Sequence, residues 1–171
     1  MTHLTAEKLV DHVLNKVKVF TGVVIQGQDL SHADLSGVTF KKSAILDTNL
    51  DGADLKDVSL AGCRLANVSA RGADLRRLNL DEAVVQGLSA AGAKADGMRL
   101  NGAVCEGLQL DGRPAGIEAT GAWLPNRGEL GVDVKNPPAV KPTIPAANLG
   151  PRHAAAAATV PGAVTGVAAR F

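Results

Sequence analysis

The stretch NLDGADLKDVSLAGCRLANVSARGADLRRLNLDEA, from Asn49 to Ala83, returns a leucine or an alanine at every fifth residue. A step of five suits neither regular element. On an α-helix it advances about 500°, so such side chains spiral around the axis and make no stripe. On a long flat strand, with its period of two, it sends successive centres to opposite faces. What remains is a chain that turns a corner once per pentad, so that the central residue and the residue two before it always face one axis.

Outward from this stretch the register holds without an insertion. All eighteen multiples of five from Ile25 to Leu110 are apolar, and the residues two earlier, Val23 to Leu108, are apolar in fifteen of eighteen, the exceptions being Gln28, Ser43 and Thr48. Glycine stands two after the centre in eleven of the eighteen pentads, including an unbroken series from Gly87 to Gly112. That is the residue expected where a turn demands positive φ. A longer period is superimposed: ADL recurs at 33–35, 53–55 and 73–75, with AKA at 93–95, so residues twenty apart stack and four pentads close one revolution.

The units ADLSG, TNLDG, ADLKD and ADLRR resemble the pentapeptide-repeat family, over about 90 of the 171 residues. The resemblance implies an all-β solenoid: a right-handed quadrilateral β-helix of about four and a half coils, with an N-terminal capping helix and an extended C-terminal tail. With coils about 4.8 Å apart the rod is roughly 22 Å long. It also implies action by binding macromolecules, in a bacterial or phage-borne protein, and not by catalysis.

The interior columns bear on the fold independently of the motif. Where the centre shrinks to Ala70 and Ala90, its companion is Val68 or Leu88, so volume lost at one position is restored beside it. Close packing demands such swaps, because an uncompensated leucine-to-alanine vacancy costs about 2–5 kcal/mol. Ala93 with Ala95 is the exception, and Met98 is the flexible neighbour placed to fill that corner.

A solenoid has two raw ends. A helix is expected at about residues 5 to 20, where Leu9, Val10, Val13, Leu14, Val17 and Phe20 make an apolar face at helical spacing that would lid the first coil. At the other end Pro114 breaks the register, and Ile117, Trp123 and Leu124 are expected to cover Leu108 and Leu110. The expected organisation is a capping helix at 1–22, a repeat array at 23–112, a closing segment at 113–135 and an Ala/Pro-rich extended or flexible tail at 136–171.

Composition excludes several functions. Formal charge is +1 and the array has twelve acids against nine bases, so bulk charge asks for neither nucleic acid nor an anionic membrane. No apolar run is long enough to span a bilayer, and no leader for cleavage is evident. His3, His12, His32 and His153 have no metal-ligand spacing, and no nucleophile elbow or phosphate loop occurs, so no metal, cofactor or enzyme activity is expected. Cys63 and Cys105 point inward two coils apart, roughly 10 Å, beyond disulfide reach. They read as free thiols, which fits a reducing cytoplasm; export without a cleaved signal peptide, or a place in a phage or secretion assembly, stays open.

Two surface columns carry the functional expectations. Asp34, Asp54 and Asp74 stack outward, as an imitation of DNA phosphate would, as in gyrase-binding members of the family; but Lys94 ends the column, and Lys56 and Arg76 lie beside it. A solvated polar face is the plainer reading. The column Val24, Ala44, Arg64, Val84, Val104, with Leu46 and Ala66 beside it, is expected to be an outward apolar strip that docks another chain, a second copy or the protein's own tail. Residues 113–171 hold six bases against three acids, which allows only weak contact with an acidic partner. The expected function is therefore a protein-interaction or structural scaffold. An injected effector with the solenoid as targeting domain, and a DNA-mimicking topoisomerase (gyrase) regulator, are the alternatives.

Overall fold

The structure, a computed structural model, describes residues 1–126, 130 and 132–143. The repeats form a four-sided, parallel-strand β-solenoid of about five turns. In chain order the elements are β1 (Thr2–His3), α1 (Ala6–Leu14), β2 (Val19–Thr21), β3 (Val23–Gln26), β4 (Thr39–Lys41), β5 (Ala44–Leu46), β6 (Arg64–Ser69), β7 (Val84–Ala90) and β8 (Val104–Leu110). One side of the coil is a six-stranded sheet in the order β1-β3-β5-β6-β7-β8, and β2 pairs with β4 on another. From β3 to β8 the register advances by twenty, Val24 pairing with Ala44, Ala44 with Arg64, Arg64 with Val84 and Val84 with Val104. The remaining sides are held by single bridges, such as Asp34 to Asp54 to Asp74 to Lys94. Leu35, Leu55 and Leu75 accordingly lie in one interior row, all buried.

The corners explain the period of five. Every residue two after a centre, from Gly22 to Gly112, is left-handed, with φ between 49° and 77°. Most are glycine, but His32, Lys42, Asp47, Asp57, Asn67, Arg77 and Glu82 adopt the same conformation. A turn bond closes the corner, as where the Val38 N–H donates to the Leu35 carbonyl at 3.1 Å. At Gly52 the stack also leaves no room, since a Cβ there would lie 2.6 Å from the His32 ring one coil before.

The first turn differs from expectation. Thr5 caps α1, its side chain accepting from the Lys8 N–H, and Leu9 is buried over the first coil with Val10 and Val13 packed against the core. But α1 ends at Leu14, which is 76% exposed; Lys16 is left-handed and the chain then enters β2. Phe20 is not on the helix. It is the centre of a further pentad, paired with Phe40, and the two rings stack at 5.4 Å. The pairing of a strand wins over continuation of the helix because it joins one more pentad to the ladder.

The far end also runs on. Bridges Arg99 to Glu118 and Val104 to Trp123 step by nineteen, so one residue is dropped near Pro114 and the coil continues with Ala119, Ala122 and Leu124 inside. Leu130, Val132 and Val134, passed over in the sequence, join Leu124 in the core and close the end, while Ile117 packs partly against it. Trp123 does not face inward; it stands in register with Val104. Of the expected tail, residues 144–171 lie outside the described residues.

Candidate docking face

Each pentad offers one outward residue just before its centre, and the structure gives that position two different uses. Outside the six-stranded sheet, an Asp or Asn there often accepts a hydrogen bond from the N–H two residues on: Asp34 from Ser36 (3.0 Å), Asp54 from Lys56 (3.0 Å), Asp74 from Arg76 (3.1 Å), Asn49 from Asp51 (3.0 Å) and Asn79 from Asp81 (2.9 Å). These side chains complete the corner's backbone bonding. The Asp/Asn of the repeat unit is thus local architecture, a role the sequence signals by its spacing to the turn but which stacking alone does not reveal.

The acidic column is paired at one member from within the chain. Arg76 grips Asp74 through Nε at 2.8 Å, and this bond holds the carboxyl down at about 2. Hydrogen bonds from Ser36 lower Asp34, and those of Arg77, at 2.6 Å, lower Asp57. Arg99 pairs with Asp81 at 2.6 Å. Asp74, Asp57 and Asp81 are thus each paired with an arginine of the same chain, an arrangement unlike the unbroken charge of a duplex.

On the six-stranded sheet the position before the centre is released from corner duty, because the strand ladder takes up the backbone groups. It holds Val24, Ala44, Arg64, Val84 and Val104, with Trp123 in register beyond Val104. Val24, Ala44 and Leu46 form an apolar cluster of their own, separate from the interior core, with Ala66 packed against it. The expected residues are therefore brought together on one face. They are not, however, an open strip: Val24 and Ala44 are each 1% exposed, Leu46 2%, Arg64 3%, Val84 4% and Val104 7%. Arg64 donates from Nη2 to the Gln86 Oε1 at 2.8 Å, and Lys141 Nζ lies 2.8 Å from Glu106 Oε1 at the end of the same face. Around the adjoining corner, Asn67, Gly87 and Gly107 stack, and with Ser69, Ser89 and Gln109 they line a shallow groove of about 250 Å³.

Cys63 and Cys105 are free and buried; burial pushes the Cys63 thiol up to about 11 and that of Cys105 to about 12. Among the described residues no group of three or more His, Cys, Asp or Glu side chains could hold a metal ion, and no helix is long and apolar enough to cross a membrane.

The family model described as Pentapeptide repeats matches residues 19–57 and 59–94 in eight copies. Its start at residue 19 agrees with the pentad centred on Phe20. None of the curated proteins matches the chain significantly. Among solved structures, the chain is similar to the pentapeptide repeat protein Rfr23 from the cyanobacterium Cyanothece 51142, at 18% identity and TM-score 0.44, over 66% of this chain and 92% of that one. It is similar to HetL of Nostoc sp. PCC 7120, a pentapeptide repeat protein involved in heterocyst differentiation regulation, at 20% identity and TM-score 0.37, over 70% and 60%. Full-length QnrB1, a plasmid-mediated fluoroquinolone resistance protein, follows at 20% identity and TM-score 0.31, over 80% and 88%.

Proposed function

The chain is a pentapeptide-repeat protein, and on that premise we propose that it is a non-catalytic scaffold that binds polypeptide through the outer face of the six-stranded sheet. One observation carries this reading. On the other sides the residue before the centre is mostly polar and serves its own corner or an ion pair, whereas here it is Val24, Ala44, Arg64, Val84 or Val104 with Leu46 and Ala66 alongside. Apolar side chains confined to one side of a polar rod mark a surface made to be covered. The free, buried thiols fit a cytoplasmic setting.

The full chain and its Val84→Asp/Val104→Asp variant, immobilised side by side, test the reading. Both valines lie outside the interior cluster, so the variant keeps its circular dichroism and loses the proteins that the wild type retains. Equal capture by a folded variant refutes it. The topoisomerase reading gains no support from the acidic column, where Arg76 already holds Asp74; a supercoiling assay is expected to show no effect of the protein.

A further inference from the structure

The helix end of the rod carries an apolar patch that the coil does not use. Among the described residues the large hydrophobic side chains left exposed are Met1, Leu14, Val17, Val19 and Val140, so four of the five belong to the first turn and its helix. Single exposures scattered over a surface are ordinary, whereas a group at one end of a molecule marks a contact surface. Two of these residues are out of character with their surroundings. Val19 begins an outward column that continues as Thr39, Ser59, Asn79, Arg99 and Glu118, polar at every later coil. The column turns apolar only in its end row, where Val19 is 54% exposed. On α1, Leu9, Val10 and Val13 pack on the core, but Leu14 shares the opposite stripe with Glu7 and Asp11, all three exposed. The link between the two is fixed: the Lys16 N–H donates to the Val13 carbonyl and the Val17 N–H to the His12 carbonyl, each at 2.9 Å, around left-handed Lys16. This helix stop leaves Val17, itself 37% exposed, between Leu14 and Val19 in the chain.

The charges around the patch select its occupant. Glu7 and Asp11 precede Leu14 on its own stripe, and Lys16 and Lys18 follow it. Lys8 stands about a quarter-turn off that stripe. Acid before the patch and base after it is a self-complementary order: under a two-fold axis the acids of one copy meet the bases of the other, whereas a parallel copy sets like charges together. We propose that a second copy of this chain docks here, joining two rods helix end to helix end about a two-fold axis at Leu14, with Leu14, Val17 and Val19 covered and Asp11 of each copy facing Lys16 of the other. At nine residues α1 is only about 13 Å long. The contact therefore falls below the roughly 800 Å² per copy of a standard interface, and the dissociation constant should be on the order of 100 μM. This goes beyond the reading of the six-stranded sheet as a docking face and does not depend on it.

Sedimentation equilibrium of the full chain, at concentrations up to roughly 1 mM, tests it. A monomer–dimer equilibrium is expected, and a chain that stays monomeric throughout overturns the proposal. Leu14→Glu with Val19→Glu should weaken the dimer roughly tenfold or more, with circular dichroism unchanged because both side chains are exposed. Val140→Glu, also at an exposed apolar residue, should leave it intact. A dimer that survives the double substitution in a folded chain overturns the assignment of the interface. Asp11→Lys and Lys16→Glu should each weaken self-association, and an equimolar mixture of the two should restore it, since every facing pair is again acid against base. A mixture no tighter than its components overturns the two-fold arrangement. None of these substitutions touches the six-stranded sheet and no readout needs another protein, so failure here and failure of the docking reading are told apart.

Discussion

Leu75→Ala is the perturbation that puts most weight on the stacked interior. Leu75 is fully buried between Leu55 in the coil before and Ala95 in the coil after, with Ala73 beside it. Removing three carbons forfeits about 2.4 kcal/mol of transfer free energy at about 0.8 kcal/mol each. A cavity cost adds to this, because coils tied by bonds such as Leu75 N–H to the Lys94 carbonyl at 2.7 Å cannot draw together to fill the gap. The layer beneath is already small, so two alanines would stack in succession. We expect a loss of about 4 kcal/mol, in the upper part of the usual range for this substitution. For a chain of this length that lowers Tm by roughly 8–16 °C. The control is the same substitution at Leu14, which is 76% exposed at the end of α1 and should change stability by less than about 0.5 kcal/mol. Chemical denaturation of both variants, with m unchanged, measures the difference. A loss below about 2 kcal/mol at Leu75, or an equal loss at Leu14, refutes the packing argument.

Three other outcomes follow from the same geometry. Lys42 is exposed with φ of 49°, between Gly22 and Gly62 in its corner stack, so Lys42→Gly relieves about 1–2 kcal/mol of left-handed strain against the glycine's extra chain entropy; a net gain of about 0.5–1 kcal/mol in urea unfolding is expected, and a loss contradicts the corner assignment. The carboxyls of Asp29, Asp34, Asp57 and Asp74 lie below their ordinary 3.8 when folded, so the stability they supply is whole above about pH 4 and drains away as pH falls toward 2; Asp74→Asn should flatten that decline in acid titrations followed by circular dichroism. Cys63 and Cys105, with thiols raised to about 11 and 12 and buried, should resist a thiol reagent at pH 8 in the folded protein and react at the rate of opening, which mass spectrometry would follow.

The coil was legible because its evidence is periodic: one bend per five residues places Leu35, Leu55 and Leu75 in a row whatever the outward residues are. The ends were less so. The apolar spacing Leu9, Val10, Val13 belongs to α1, but Phe20 satisfies the helical spacing and the pentad register at once, and only the pairing with Phe40 decides between them. Near Pro114 a single dropped residue hides the last coil from a strict count of five, so Trp123 looked like an end plug when it stands one residue out of phase, beside Val104. The column Val24, Ala44, Arg64, Val84 and Val104 follows from the twenty-residue period, but its low exposure does not, since periodicity fixes which side of the coil a residue faces and not how much solvent reaches it.

Why the fourth side is free to differ can be argued from backbone bonding. At Asp34, Asp54 and Asp74 the side chain satisfies an N–H two residues on, and replacing any of them by an apolar residue leaves that donor to water or strands it, at about 1 kcal/mol each. Those positions are committed to the coil. On the six-stranded sheet, residues one after the centre pair in sequence, Gln26 with Leu46, Leu46 with Ala66, Ala66 with Gln86 and Gln86 with Glu106, so the ladder itself absorbs the groups that a corner carboxylate serves elsewhere. The residue before the centre is then free of corner duty, and Val24, Ala44, Val84 and Val104 can be apolar without leaving a backbone donor unserved. Replacing Ala44 by Asp would therefore supply no corner bond to the rod and would place a charge where Leu46 and Val24 exclude water.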